Sequence, residues 1–197
     1  LAAAPDRNGE THLYAALAQG LWVSRGWGEG WGQVSDLPAR RVRLSPGFPQ
    51  DSTLVVATKG QGLRVSRDAG QNWEPVDVPW NGQQVLALAL SPAFLSDASV
   101  FVTVARPDAD SAEIWQGAIG KRWKPVIRYR GTAHGAVLAV PASYTRDGHW
   151  YASIGAQFYR PQAGVERRRS REARRAIEGQ ALAQERPTVL DLAVLPD

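Results

Sequence analysis

This chain repeats itself, and that constrains its fold more than any other feature. Leu44-Ser45-Pro46-Gly47-Phe48-Pro49-Gln50-Asp51 returns 46 residues later as Leu90-Ser91-Pro92-Ala93-Phe94-Leu95-Ser96-Asp97. The aromatic and the aspartate recur once more, at Tyr144 and Asp147. Gly20-Leu21-Trp22-Val23-Ser24-Arg25 matches Gly62-Leu63-Arg64-Val65-Ser66-Arg67, and Trp73-Glu74-Pro75-Val76 matches Trp123-Lys124-Pro125-Val126. Val189–Val194 echoes Val85–Leu90. These anchors agree on a unit of 42 to 50 residues, and a fixed period of that length is the signature of a repeat architecture.

Within a unit the segments are short and strand-like. In the second they are Arg41–Leu44, Thr53–Thr58, Leu63–Ser66 and Trp73–Val78, separated by Gly, Pro, Asp and Asn clusters. Thr53–Thr58 and Val85–Leu90 are near-continuous apolar runs, as expected of strands covered on both faces. Four short antiparallel strands in roughly 40–50 residues is the arithmetic of a propeller blade. The spacing therefore predicts an all-β propeller, or part of one, of about four four-stranded blades. The units run over 6–38, 39–80, 84–130 and 136–164, with a basic helix inserted at 165–186 and a further strand at 187–197.

The most specific string is Ser66-Arg67-Asp68-Ala69-Gly70-Gln71-Asn72-Trp73. It resembles the Asp-box, or bacterial neuraminidase repeat, Ser/Thr-x-Asp-x-Gly-x-x-Trp. In such a turn the Ser and Asp side chains accept loop amides. The Gly supplies a positive φ and the Trp plugs the turn. The first unit keeps Ser24, Gly28 and Trp31 but carries Gly26 where the Asp belongs; the third keeps Gly120 and Trp123. The resemblance is to the Asp-box propeller superfamily, over about residues 6–164 and the last ten. The lead-in and the Gly-Leu-x-x-Ser strand look like those of bacterial exported members, including photosystem II assembly-factor-like propellers. Sialidases, xyloglucanases and sortilin-type receptors share the same device, so the resemblance implies a fold and leaves function open.

Four units do not by themselves say whether a ring closes. One expectation is that residues 188–194 pair beside Leu13–Leu17 and close four blades; the competing expectation, which we favour, is a segment of a six- to eight-bladed ring. There is no cysteine in the 197 residues, which excludes disulfides, Cys-zinc sites and thiol nucleophiles. No apolar run reaches the 18 residues of a membrane span.

Candidate chemistry is sparse. Arg128, Tyr129, Arg130, Tyr144 and Tyr159 provide sialidase residue types without that family's Phe-Arg-Ile-Pro-like string. Asp51, Asp97 and Asp147 obey the repeat, which reads as turn residues rather than as a catalytic pair. His12, His134 and His149 lie apart, so no metal and no cofactor is expected. Asp108, Asp110 and Glu113 read as a solvated acidic loop.

Between Val165 and Arg186 stand seven Arg and four Glu, so most of the net charge of +4 sits there. Arg167, Arg168, Arg169, Arg171, Arg174 and Arg175 are the candidate partner-binding residues, on a helix suited to i,i+4 pairing. No aromatics interleave with them, which disfavours nucleic acid. A protein partner or larger complex is expected, with a glycan or contact with an anionic membrane surface as further options. The function expected is a non-catalytic interaction scaffold of an exported, periplasmic or cell-surface bacterial protein. The alternative is a carbohydrate-active enzyme whose catalytic residues lie partly outside this chain.

Overall fold

A computed structural model describes residues 1–160. The expected helix at 165–186, with its six arginines, and the expected strand at 187–197 lie outside the described residues. The rest is an all-β propeller arrangement of four antiparallel sheets in chain order. The first holds β1 (Ala2–Pro5), β2 (Thr11–Leu17), β3 (Gly20–Arg25) and β4 (Gly32–Ser35). The second holds β5 (Ala39–Leu44), β6 (Leu54–Thr58), β7 (Leu63–Ser66) and β8 (Glu74–Val76). The third holds β9 (Gln84–Leu90), β10 (Ser99–Arg106), β11 (Ser111–Ala118) and β12 (Lys124–Arg130). The fourth shows β13 (Ala136–Ala139), β14 (Tyr151–Ile154) and β15 (Gln157–Tyr159), so three strands rather than four among the described residues.

The opening strand of the first unit is a correction to the sequence reading, which started that unit at residue 6. Ala2 pairs with Tyr14 and Pro5 with Thr11, so β1 already occupies the edge of β2 expected for residues 188–194. An Ala-Ala-Ala-Pro segment has little strand propensity of its own; the free ladder of β2 makes it a strand.

Three cores join the sheets in sequence. Tyr14, Leu21 and Val23 of the first meet Val42, Leu54 and Val56 of the second. Val55, Leu63 and Val65 meet Leu88, Val100 and Val102 of the third. Phe101, Ile114 and Ile127 meet Leu138, Trp150 and Ile154 of the fourth. β6 explains the continuous apolar runs: Leu54 and Val56 point to one neighbour, Val55 and Ala57 to the other, and all four are buried.

The Ser-Pro-x-aromatic lead-in forms one helical turn each time: α1 (Phe48–Asp51), α2 (Phe94–Asp97) and α3 (Tyr144–Asp147). The aromatic plugs the seam to the preceding sheet, as in the edge-on contacts of Phe48 with Tyr14 at 5.7 Å and Tyr144 with Phe101 at 5.5 Å. The aspartate then accepts the backbone N–H two residues on, from Thr53, Ser99 and His149 at 2.7–2.8 Å. Asp51, Asp97 and Asp147 are turn caps, as their periodicity implied.

Burial also sets a pH limit. Tyr14 and Tyr159 are pushed up to about 12, chiefly by desolvation of the phenolate. A raised acid favours the folded state only while neutral, so stability should be intact below pH 10 and fall between about pH 10 and 12. Burial and the nearby Asp97 raise Tyr144 as well, so tyrosinate absorbance should show three of the five tyrosines titrating late, together with unfolding; all five titrating near 10 in folded protein would contradict the packing.

Candidate functional site

The turn after β7 is built from side chains outward. Ser66, buried at the strand end, accepts the N–H of Gly70 at 2.8 Å and donates its hydroxyl to Asp68 Oδ1 at 2.7 Å. Asp68 Oδ1 also accepts the Asn72 backbone N–H at 2.8 Å, and Oδ2 accepts the Asn72 side-chain amide at 2.7 Å. These donors, Asn72 foremost, hold its carboxyl below the usual carboxylate range. Its contribution to stability is therefore present above pH 4 and lost as pH falls through the depressed value. Ala69 at φ 58 and Gly70 at φ 96 carry the chain back. A Cβ on Gly70 would sit 3.0 Å from Val34 Cγ1 of the first sheet.

The loop is also a strap. Ala69 donates its N–H to Ser52 O at 2.9 Å, its C=O accepts the Tyr14 hydroxyl at 3.2 Å, and Trp73 packs on the first core. Replacing Asp68 with Ala should lower stability by about 1 kcal/mol, the worth of a turn hydrogen-bond set at an exposed site. It should also abolish the acid-side stability slope assigned to this residue, which urea titrations at pH 3 and pH 7 would show.

The first sheet reproduces the turn without its aspartate. Gly28 donates its N–H to Ser24 Oγ at 3.1 Å, and Trp27 (φ 55) and Gly28 (φ 97) repeat the backbone of Ala69 and Gly70. Trp31 stays 40% exposed. In the third sheet Gly120 keeps a φ of 76 and Ile119 donates to Ala98 O at 3.1 Å, as Ala69 does to Ser52. Trp123 lies edge-on to Trp80 at 4.8 Å and donates its indole N–H to Asp77 O at 2.9 Å.

That last contact borders two clefts that share Asp77. A cleft of about 470 Å³ is lined by Gln61, Arg64, Asp77 and Asn81. A second, of about 560 Å³, shares Asp77 and runs past Pro79, Lys121, Arg122 and Trp123. Arg64 reaches Gln61 Oε1 at 3.3 Å. Lys121 and Arg122 are exposed and form no ion pair among the described residues. The sequence reading missed this group because Arg64 and Arg122 are 58 positions apart; the signal available was the Asp77–Trp80 linker facing Gly120-Lys121-Arg122-Trp123 at one repeat's offset.

Several other carboxylates are tied up locally. Glu113 is buried, not part of a solvated loop as read from sequence. Its Oε2 meets Arg106 Nη1 at 3.1 Å, and its Oε1 meets Arg128 Nη2 at 2.7 Å and Nε at 2.8 Å. Asp110 is bonded to the Thr132 hydroxyl. The β1–β2 hairpin gathers Asp6, Glu10 and His12 with ligand atoms within 4.8 Å of one another, a cation-compatible set that sequence spacing did not single out. Asp6 Oδ1 there accepts the Asn8 and Glu10 N–H groups at 2.8 and 2.9 Å, and Oδ2 lies 3.6 Å from His12 Nε2.

No family model matches this chain, and no curated protein matches it. Solved structures do. The GH74 xyloglucanase from Xanthomonas campestris is 19% identical with a TM-score of 0.56, over 83% of this chain and 28% of that one. YCF48 bound to D1 peptide is 16% identical with a TM-score of 0.54, over 83% of this chain and 52% of that one. The GH74 enzyme of Niastella koreensis is 15% identical with a TM-score of 0.53, over 80% and 26%. The chain thus spans about a quarter to a half of the length of these structures, and what it shares with them is the β-propeller fold.

Proposed function

We propose that this chain is part of a non-catalytic interaction propeller whose Ser66–Trp73 turn is an Asp-box used as a structural strap. One observation carries the reading. Asp51, Asp97, Asp147 and Asp68 each cap their own turn, and Glu113 is held by two arginines, whereas Arg64, Lys121 and Arg122 line two clefts in which Asp77 is the one carboxylate among the lining residues. Carboxylates tied up in turns are poorly suited to acid–base work, and cations on a rim suit recognition of a carboxylate-bearing surface. The same fold holds a peptide in YCF48, which supports a protein partner over a glycan. Arg167, Arg168, Arg169, Arg171, Arg174 and Arg175, outside the described residues, add basic charge suited to the same kind of partner, and export to a periplasm or cell surface fits the resemblance.

Titrating the chain with an acidic peptide, a neutral peptide of equal length and a xyloglucan oligosaccharide tests this. Salt-sensitive binding of the acidic peptide alone, weakened by Arg64→Glu and Arg122→Glu, is the expected result. Hydrolysis of the oligosaccharide would overturn it in favour of a carbohydrate-active enzyme.

A further inference from the structure

Two Asn-Gly pairs stand in turns of this chain, Asn8-Gly9 and Asn81-Gly82. An asparagine side chain before glycine is open to attack by the glycine's own backbone nitrogen, because no Cβ crowds the cyclic imide that forms. The new bond joins that nitrogen to the asparagine Cγ. The Cγ–Nδ2 bond breaks, and the side-chain nitrogen leaves as ammonia with the proton the backbone amide has given up. Water then opens the imide at either carbonyl, leaving aspartate or isoaspartate, with nothing oxidised or reduced. Since the backbone nitrogen must lose its proton, a hydrogen bond that holds this N–H holds the reaction back.

Open space does not separate the two pairs, for a Cβ on either glycine would meet no atom within 4 Å. Hydrogen bonding does. Gly9 donates its N–H to Asp6 O at 3.1 Å, and Asn8 donates its own to Asp6 Oδ1 at 2.8 Å. Arg7 beside them donates from Nε to Pro49 O at 3.1 Å and from Nη2 to Gln50 O at 2.7 Å, which pins that hairpin to the second sheet's lead-in turn. Gly82, at φ 85, gives its N–H to no acceptor among the described residues; its turn is closed by the next amide, Gln83 to Trp80 O at 3.1 Å. Asn81 is exposed, and its side-chain amide has no hydrogen-bond partner among the described residues.

We propose that Asn81 is a self-modification site, where loss of ammonia replaces a neutral amide with a carboxylate between two basic clefts. Asn81 lines the cleft of Arg64, and Gly82 lines a neighbouring one of about 390 Å³ with Arg40 and Lys59. Gly60 borders both. Asn81 Oδ1 lies 3.3 Å from where a Cβ on Gly62 would stand, so the side chain leans over the β6–β7 hairpin that carries Lys59 and Arg64. Arg40, Lys59 and Arg64 form no ion pair among the described residues. A carboxylate made by the chain itself is a counter-ion for these cations and competes with an acidic partner for them. That consequence rests on the acidic-partner reading above; the modification does not.

Holding the whole folded chain at pH 8 for several days and mapping its peptides by mass decides it. The peptide containing Asn81 should gain the mass difference between an amide and an acid, divided between aspartyl and isoaspartyl forms. The Asn8 peptide should stay intact, as should the corresponding peptide of Asn81→Gln. In urea-unfolded chain the two pairs should react alike, since neither N–H is then held. Conversion of Asn8 first, or of neither pair in the folded protein, overturns the proposal. So does the same preference in urea, which would place the choice in the sequence rather than in the turn. Asn81→Asp should weaken acidic-peptide binding roughly threefold at low salt, and unchanged binding would overturn the charge effect. If unmodified protein binds no acidic peptide, the proposed function and the charge effect fail together, while the mass map still decides the modification.

Discussion

Replacing Trp80 with Ala is expected to lower the unfolding free energy by about 3–5 kcal/mol, the range for removing a fully buried tryptophan. Trp80 is 2% exposed, in the linker between the second and third sheets. It holds Trp115 at 5.2 Å and Trp123 at 4.8 Å, so one truncation vacates the site on which two aromatics of the next blade rest. The surrounding strands are hydrogen-bonded into ladders and cannot collapse into the void, which puts the cost at the upper end. Trp80→Phe should recover part of it by keeping an edge for Trp123. Urea unfolding of both variants measures the effect. A loss below 1 kcal/mol for Trp80→Ala would mean that the second seam does not depend on this plug.

The Arg106→Ala/Arg128→Ala double variant should be comparably damaging, by about 3–5 kcal/mol at neutral pH, because it strands a buried carboxylate. The asymmetry follows from exposure: the Glu113 side chain is 2% exposed, whereas Arg106 and Arg128 are 41% and 63% exposed and can turn to water. Removing the carboxylate alone, as Glu113→Gln, should therefore cost less than removing both cations. Adding Glu113→Gln to the double variant should restore part of the loss. Urea unfolding of the double and triple variants at pH 7 measures both the loss and its recovery.

Much of the fold was legible because its information is local and repeated. The Leu63–Ser66 strand has the bounds read from the sequence, and Val85–Leu90 is extended by Gln84 alone. The lead-in turns kept their aspartates as caps and the Ser66–Trp73 string folded into the hydrogen-bonded turn its residue types imply. The α1–α3 turns were not foreseen, since four residues are too few for a helical period to show. β1 was missed for the opposite reason: nothing in Ala2–Pro5 favours a strand until β2 offers its edge. The candidate site was harder to see. Arg64, Lys121 and Arg122 are ordinary surface cations in sequence, and only the stacking of the third blade's turn against the Asp77–Trp80 linker brings them around shared clefts.

The sequence by itself determined the repeat, the class of fold and the turns, because strand periodicity and turn chemistry act between residues a few positions apart. The tertiary structure decided what one unit does to the next: Glu113 buried rather than solvated, and Trp123 bonded to Asp77. Those outcomes turn on contacts between residues a full repeat apart, where burial and charge pairing are set by packing rather than by sequence neighbours.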